Sequence, residues 1–413
     1  MINYFPYSYP APTADEAPFR ANISTLETPW NPDTRILHIG IQGALPEIET
    51  APPLNLVFLI DTSGSMDSAD KLPLLKQSFR LLLSELRPED EVSIVTYAGS
   101  AGLVLKPTKA SNRRAILRAL NDLDAGGSTA GQAGLQQAYS TAEDMSEDGE
   151  ITRVILATDG DFNVGISDPE ELQAFIADKR DTGTYLSVLG FGRGNLDDEI
   201  MQTLAQNGNG QAAYIDTLSE ARKVLVDQVS GALFPIANDV KIQIEFNPAQ
   251  IAEYRLIGYE TRALAREDFN NDKVDAGDIG AGHTVTAIYE VTPVGSPAQL
   301  SDPLRYQPAA DDAEAVVTST EWGYLRLRYK EPGQETSQLI ERPFQPVGQL
   351  IRDDVYFSVG IAGFGEMLRD NDRFVDWSYD EAIAYVERFK GEDRFGYRAE
   401  AITLMRLAES LDQ

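Results

Sequence analysis

The chain has 413 residues, 42% hydrophobic and 9% aromatic, which is more than one ordinary domain needs and enough for two or three packed cores. Asp and Glu number 65 against 35 Lys and Arg; the resulting charge of −30 repels phosphate backbones, excludes general nucleic-acid binding, and suits a salty or exposed setting and the attraction of divalent cations. With no cysteine and two histidines, His38 and His283, disulfides, thiol catalysis and zinc–thiolate sites are excluded, and a histidine triad is hard to build.

The opening Met1-Ile2-Asn3-Tyr4-Phe5-Pro6 is rich in Tyr and Pro and lacks the basic and long apolar regions of a secretory signal. It reads as a processed start, with residues 1–20 extended. No apolar run reaches the 18 residues of a transmembrane helix, so membrane attachment is expected only through a missing upstream signal. Two strands follow, 19–26 and 35–42, separated by the turn-forming Pro29-Trp30-Asn31-Pro32-Asp33.

From 54 to 234 strands and helices alternate. Leu54-Asn55-Leu56-Val57-Phe58-Leu59-Ile60 is nearly continuously apolar, as a strand buried on both faces requires. Leu72, Leu75, Phe79, Leu82, Leu83 and Leu86 recur at helical spacing until Pro88. Further strands are expected at 92–97, 103–106, 153–158, 185–191 and 212–215, with helices near 111–122, 130–146, 168–181, 197–206 and 217–233. This order predicts a doubly wound α/β sheet, with one hairpin supplying an antiparallel edge strand.

Beyond residue 238 the helical period gives way to strict alternation in Val240-Lys241-Ile242-Gln243-Ile244-Glu245-Phe246, and 254–259, 284–291 and 324–329 also read as strands. An antiparallel β-sandwich is expected, completed by the two early strands, so that the α/β domain is inserted in it. The last seventy residues turn helical: Ser378-Tyr379-Asp380-Glu381 is a capping box, and Ala399 to Leu411 form an amphipathic stretch expected to pack on the sandwich. The predicted division is 1–50 for the extended segment and two strands, 51–236 for the α/β domain, 237–345 for the sandwich and 346–413 for the helical region.

The chemistry gathers at the ends of the buried strands. Asp61-Thr62-Ser63-Gly64-Ser65-Met66 directly follows strand 54–60, where a doubly wound sheet opens its ligand crevice. Asp61, Ser63 and Ser65 at alternate positions turn three oxygens toward one point. Thr158-Asp159-Gly160 adds a carboxylate at the end of strand 153–158, and Gly126-Gly127-Ser128-Thr129-Ala130-Gly131 adds hydroxyls before a helix. Two carboxylates and three hydroxyls suit a hard cation. Helix capping and turn formation explain Asp61 or Asp159 taken alone, but not the whole set.

The D-x-S-x-S loop, the later Thr and the Asp of T-D-G resemble the metal-ion-dependent adhesion site of von Willebrand A and integrin I domains, over residues 52–235. The resemblance implies Mg²⁺ (or Mn²⁺ or Ca²⁺) held by Asp61, Ser63, Ser65, Thr129 and Asp159, with Ser128 the alternative to Thr129. It implies one open coordination position for an Asp or Glu of a protein partner, and no catalysis. In such domains a shift of the last helix, here 217–233, tightens binding. Asp161 and Asn163 stand near enough to support the ligands, or serve turn chemistry alone. The whole order resembles a bacterial family of envelope proteins with a lipoprotein or export signal, which implies an extracytoplasmic, metal-dependent binding or adhesion module. An intracellular adaptor for an ATPase motor is the alternative.

Other constellations are weaker. Asp61-Thr62-Ser63-Gly64-Ser65 loosely resembles the aspartyl-phosphate loop of ion-pumping ATPases and phosphatases, but Ser63 stands where a second acid is needed, and no lysine motif is clear between the two acidic loops. Gly190-Phe191-Gly192-Arg193-Gly194-Asn195 falls short of a dinucleotide loop, and no phosphate-binding G-x-x-x-x-G-K-[ST] occurs. Asp268, Asn270, Asp272 and Asp278 resemble a calcium loop shortened by one residue, lacking its glycine and final Glu, and make Ca²⁺ a second candidate.

Overall fold

Strand β3 (Leu54–Asp61) is buried along its whole length, and its side chains divide between two cores. Leu56, Phe58 and Ile60 pack on one face with Leu75, Phe79 and Leu82 of helix α1 (Leu72–Glu85), Phe58 and Phe79 having ring centroids 4.2 Å apart. Val57 and Leu59 pack on the other with Leu135, Ala138 and Ala142 of the 131–145 helix. A period-2 strand with no polar face needs helices on both sides, which is why this segment forms the centre of a parallel sheet. The computed structural model describes residues 1–13, 15–45, 52–98, 100–127, 131–160, 169–192, 198–228, 234–258, 266–272, 276–301, 320–334, 336–346, 352–369 and 377–412. They form two units, residues 46–235 and residues 1–45 with 236–413.

The first unit continues with β4 (Glu91–Tyr97), β5 (Ala101–Lys109), α2 (Arg113–Asn121), α3 (Gly131–Met145), β6 (Ile151–Thr158), α4 (Pro169–Asp181), β7 (Thr184–Phe191), α5 (Asp198–Asn207), β8 (Ala212–Ile215) and α6 (Leu218–Arg222). The sheet order is β5-β4-β3-β6-β7-β8, all parallel except the edge strand β5, which returns from β4 as a hairpin. The chain runs from β3 to β4 on one side and then to β6 on the other. The carboxyl ends of β3, β4 and β6 therefore border the crevice at this reversal. The last helix is less regular than its sequence suggests: α6 spans five residues and passes into a π-helical stretch, Lys223–Gln228.

The second unit joins strands far apart in sequence. Strands β1 (Phe19–Thr28) and β2 (Asn31–Gly43) form a hairpin whose turn is only Pro29-Trp30, so Asn31 to Asp33, expected in the turn, lie in the strand. With β9 (Pro235–Phe246), β10 (Ile251–Ile257), β11 (Gly277–Gly280), β12 (Thr284–Pro293), β13 (Gly323–Lys330) and β14 (Gln338–Phe344), they build two four-stranded sheets of order β1-β2-β12-β10 and β11-β9-β13-β14. Leu37, Ile39, Ile41 and Val291 from the first meet Phe246, Leu325, Leu327 and Tyr329 from the second in one core. A Cβ on Gly43 would lie 2.7 Å from the Gly280 carbonyl oxygen and 3.0 Å from Ile236 Cδ1, so the chain leaves β2 and re-enters β9 at neighbouring points. On the opposite face of the first sheet, Leu26, Ile36, Ile257 and Ile288 are covered by Phe5, Tyr7 and Tyr9 and by helices α7 (Asp353–Met367), α8 (Tyr379–Arg388) and α9 (Tyr397–Leu411). Ser378 caps α8 through the reciprocal hydrogen bonds expected of its capping box.

Candidate metal centre

Parallel register sets the site. Asp61 ends β3 opposite Tyr97 at the end of β4, and Ile60 lies opposite Ala157 in β6, two residues before Asp159. Asp61 is fully buried and Asp159 only 3% exposed. The Asp61 Oδ1 accepts a hydrogen bond from the Ser63 amide at 2.8 Å, the turn geometry that folds the loop back on its own strand end. The hydroxyls of Ser63 and Ser65 then stand 2.9 Å apart.

Backbone bonds bring the glycine loop to the same place. The Gly64 amide donates to the Gly127 carbonyl at 3.1 Å and the Gly126 amide to the Thr62 carbonyl at 2.8 Å, while the Thr62 amide reaches the Tyr97 carbonyl at 3.0 Å. Ser128 and Thr129, next along this loop, lie outside the described residues, as do Asp161 and Asn163.

Two buried oxygens, Asp61 Oδ2 and Asp159 Oδ1, have no hydrogen-bond partner. A buried acceptor left unmade costs about 1–3 kcal/mol, more if charged. Burial raises the Asp61 carboxyl above its ordinary range; the Ser63 amide and hydroxyl and the Tyr97 hydroxyl oppose this, and the nearby charge of Asp159 adds to it. The buried Tyr97 hydroxyl stands beside Asp61 and stays protonated, because burial and the Asp61 charge push it well above the usual tyrosine value. Two orphaned carboxylate oxygens beside a pair of serine hydroxyls form a donor set that fits a hard divalent ion.

Two neighbours escaped the sequence reading. In sequence, Tyr97 marks nothing more than the end of the 92–97 strand. Lys71 supplies the lysine that no motif revealed between the acidic loops. Its Nζ lies 2.8 Å from Asp159 Oδ2 and donates to the Ser65 carbonyl at 2.9 Å. The signal was its position: Lys71 occupies the N-cap of α1, where the helix dipole disfavours a cation.

The 268–278 segment is arranged differently. Asn270 Oδ1 accepts from Arg328 at 3.1 Å, and Asp272 Oδ1 accepts from Ser337 at 2.7 Å with Arg328 3.9 Å away. Asp278, on β11, accepts from the Asp239 amide at 3.1 Å. The cation beside Asn270 and Asp272 is the Arg328 guanidinium. Among the described residues no group of three or more His, Cys, Asp or Glu is placed to hold a metal.

The fold and these loops define a von Willebrand factor type A domain, and the family model of that description matches residues 55–228. The chain belongs to the YfbK family. It is 42% identical over 417 residues to the protein YfbK of Escherichia coli (strain K12), covering 100% of this chain and 72% of that one, and the model of the YfbK C-terminal region matches residues 231–411. Human inter-alpha-trypsin inhibitor heavy chain H3 is 27% identical over 278 residues, 62% of this chain and 30% of its own length. Among solved structures, a von Willebrand factor type A protein from Catenulispora acidiphila aligns over 95% of this chain and 91% of that chain, with a TM-score of 0.49 and 16% identity.

Proposed function

We propose that this protein is a divalent-cation-dependent binding module of the bacterial cell envelope. Asp61, Ser63, Ser65 and Asp159, with Thr129 from the glycine loop, would hold one Mg²⁺, and the bound ion would offer an open position to an Asp or Glu of a protein partner. The observation that carries this reading is the pair of buried, unpartnered carboxylate oxygens at the ends of β3 and β6. Sealed from water and short of hydrogen-bond partners, they are a cost to the fold that a hard cation removes. Ser63, at the position where phosphate-transfer loops carry a second acid, supports binding over turnover. A type A domain and an acidic surface without cysteine suit an extracytoplasmic location, which fractionation of the native host with an antibody against the protein checks.

The direct test is thermal or denaturant unfolding with EDTA and with Mg²⁺. At a hundredfold excess over Kd the wild type gains about 2.7 kcal/mol. Asp61→Ala and Asp159→Ala lose that gain while remaining folded. An equal gain in wild type and Asp61→Ala would show that the ion binds elsewhere. A metal-dependent pull-down, repeated with Asp61→Ala, then identifies the partner.

A further inference from the structure

We infer that Lys71 is a built-in counter-charge that sets how strongly the metal-loaded site demands an acid from outside. This inference rests on the metal reading above and concerns one residue that reading does not use. Three observations carry it. The Lys71 ammonium holds Asp159 Oδ2 at 2.8 Å and leaves Oδ1 bare, so half of that carboxylate is occupied before any ion arrives. The lysine stands at the N-cap of α1, the end of a helix that repels cations, and the carboxylate of Asp159 offsets that placement. Its stem is shaped by a glycine: Gly192, at the end of β7 with φ +87°, could carry no Cβ without placing it 2.5 Å from Lys71 Cε and 2.7 Å from Cγ. The fold leaves a slot for this side chain in a left-handed turn that glycine alone enters easily.

The consequence follows from charge. Asp61 and Asp159 bring −2 and Lys71 returns +1, so a divalent ion leaves the loaded site at +1, and a carboxylate from a partner brings it to neutrality. Without Lys71 the loaded site would already be neutral. The lysine thus weakens the hold on the ion and strengthens the demand for the partner's acid. It is a positioning and tuning residue, not a ligand.

The test measures Mg²⁺ alone, by calorimetric titration of the full chain, and needs no partner. Lys71→Met keeps the stem and removes the charge; it should bind Mg²⁺ about tenfold more tightly or better, the scale expected when one positive charge is taken from within a few ångströms of a divalent ion in a partly screened site. Lys71→Arg keeps the charge and should stay within about threefold of wild type. Lys71→Gln stands in if the Met variant melts early. Tighter binding by Met or Gln with the Arg variant near wild type supports the inference. If Lys71 merely ties the Ser65 carbonyl, affinity is unchanged or falls, and the inference is overturned. A wild type that takes up no Mg²⁺, indistinguishable from Asp61→Ala, removes the metal reading itself and this inference with it; Mg²⁺ uptake that Lys71→Met does not tighten removes the inference alone.

Discussion

His38 lies 1% exposed on β2, its Nε2 3.2 Å from the Tyr9 hydroxyl, which also contacts Thr286 Oγ1 at 2.7 Å. Burial lowers its pKa from 6.5 to about 3, although the charge of Asp354 and a backbone hydrogen bond pull the other way. The folded state therefore binds fewer protons than the unfolded state between those values, and stability falls as pH falls through that window. The slope is about 1.4 kcal/mol per pH unit, and roughly 3 kcal/mol is lost on going from pH 7 to pH 4. Denaturant unfolding of wild type and His38→Gln at pH 7, 6, 5 and 4 isolates this contribution: the stability difference between them should shift by that amount in favour of the variant as pH falls, and parallel curves would refute it. At this scale sequence and structure diverge in an instructive way. Asp61 and Asp159 were legible because the first ends and the second directly follows a buried strand, so both must stand at the mouth of the sheet. Lys71 and Tyr97 were not, since Lys71 meets a carboxylate 88 residues away and the register of β4 against β3 brings Tyr97 to Asp61.

Among elements, helix α3 is fitted to the sheet through a glycine. A Cβ at Gly134 would lie 2.7 Å from Tyr97 Cβ and 3.0 Å from its Cγ. Alanine there gains up to about 1 kcal/mol of helix propensity but overpacks the contact at a cost of roughly 1–3 kcal/mol. Gly134→Ala should therefore destabilise the protein by about 1–2 kcal/mol in EDTA melts, and a net gain in melting temperature would show that the contact yields freely. The strand pattern of the α/β region was readable because its apolar runs are long and its helices amphipathic. Helix α7 falls inside the region 346–413 expected to be helical, but its bounds were not legible: ten of its fifteen residues are buried, including Val355, Phe357, Val359, Ile361 and Phe364, and a helix apolar on all sides shows no stripe. Strands β11 and β14 escaped for the opposite reason, the first having four residues and the second lying mostly exposed at a sheet edge.

For the whole molecule, the governing feature is the insertion of residues 46–235 between β2 and β9. Because Gly43 and Ile236 are neighbours, replacing that segment by a short Gly/Ser linker should leave residues 1–45 and 236–413 able to fold, with the strand and helix signals of circular dichroism and a cooperative melt. An aggregated or unfolded product would mean that the second unit depends on the first for its stability. The expectation that the early strands join the later sheet came from their lack of partners nearby, and β2 does pair with β12 along Thr284 to Val291.

That pairing has a consequence during synthesis. The β1–β2 hairpin leaves the ribosome with Ile36, Leu37, Ile39 and Ile41, all of which end within 1% of complete burial, and β12 is translated only some 240 residues later. At about 5–20 residues per second the hairpin waits on the order of 10–50 s with greasy strands uncovered, while the inserted domain forms first. Substitutions that delay that domain would thus be felt as lost yield of nascent chains, through sticky intermediates, long before any change in the finished protein's melting point.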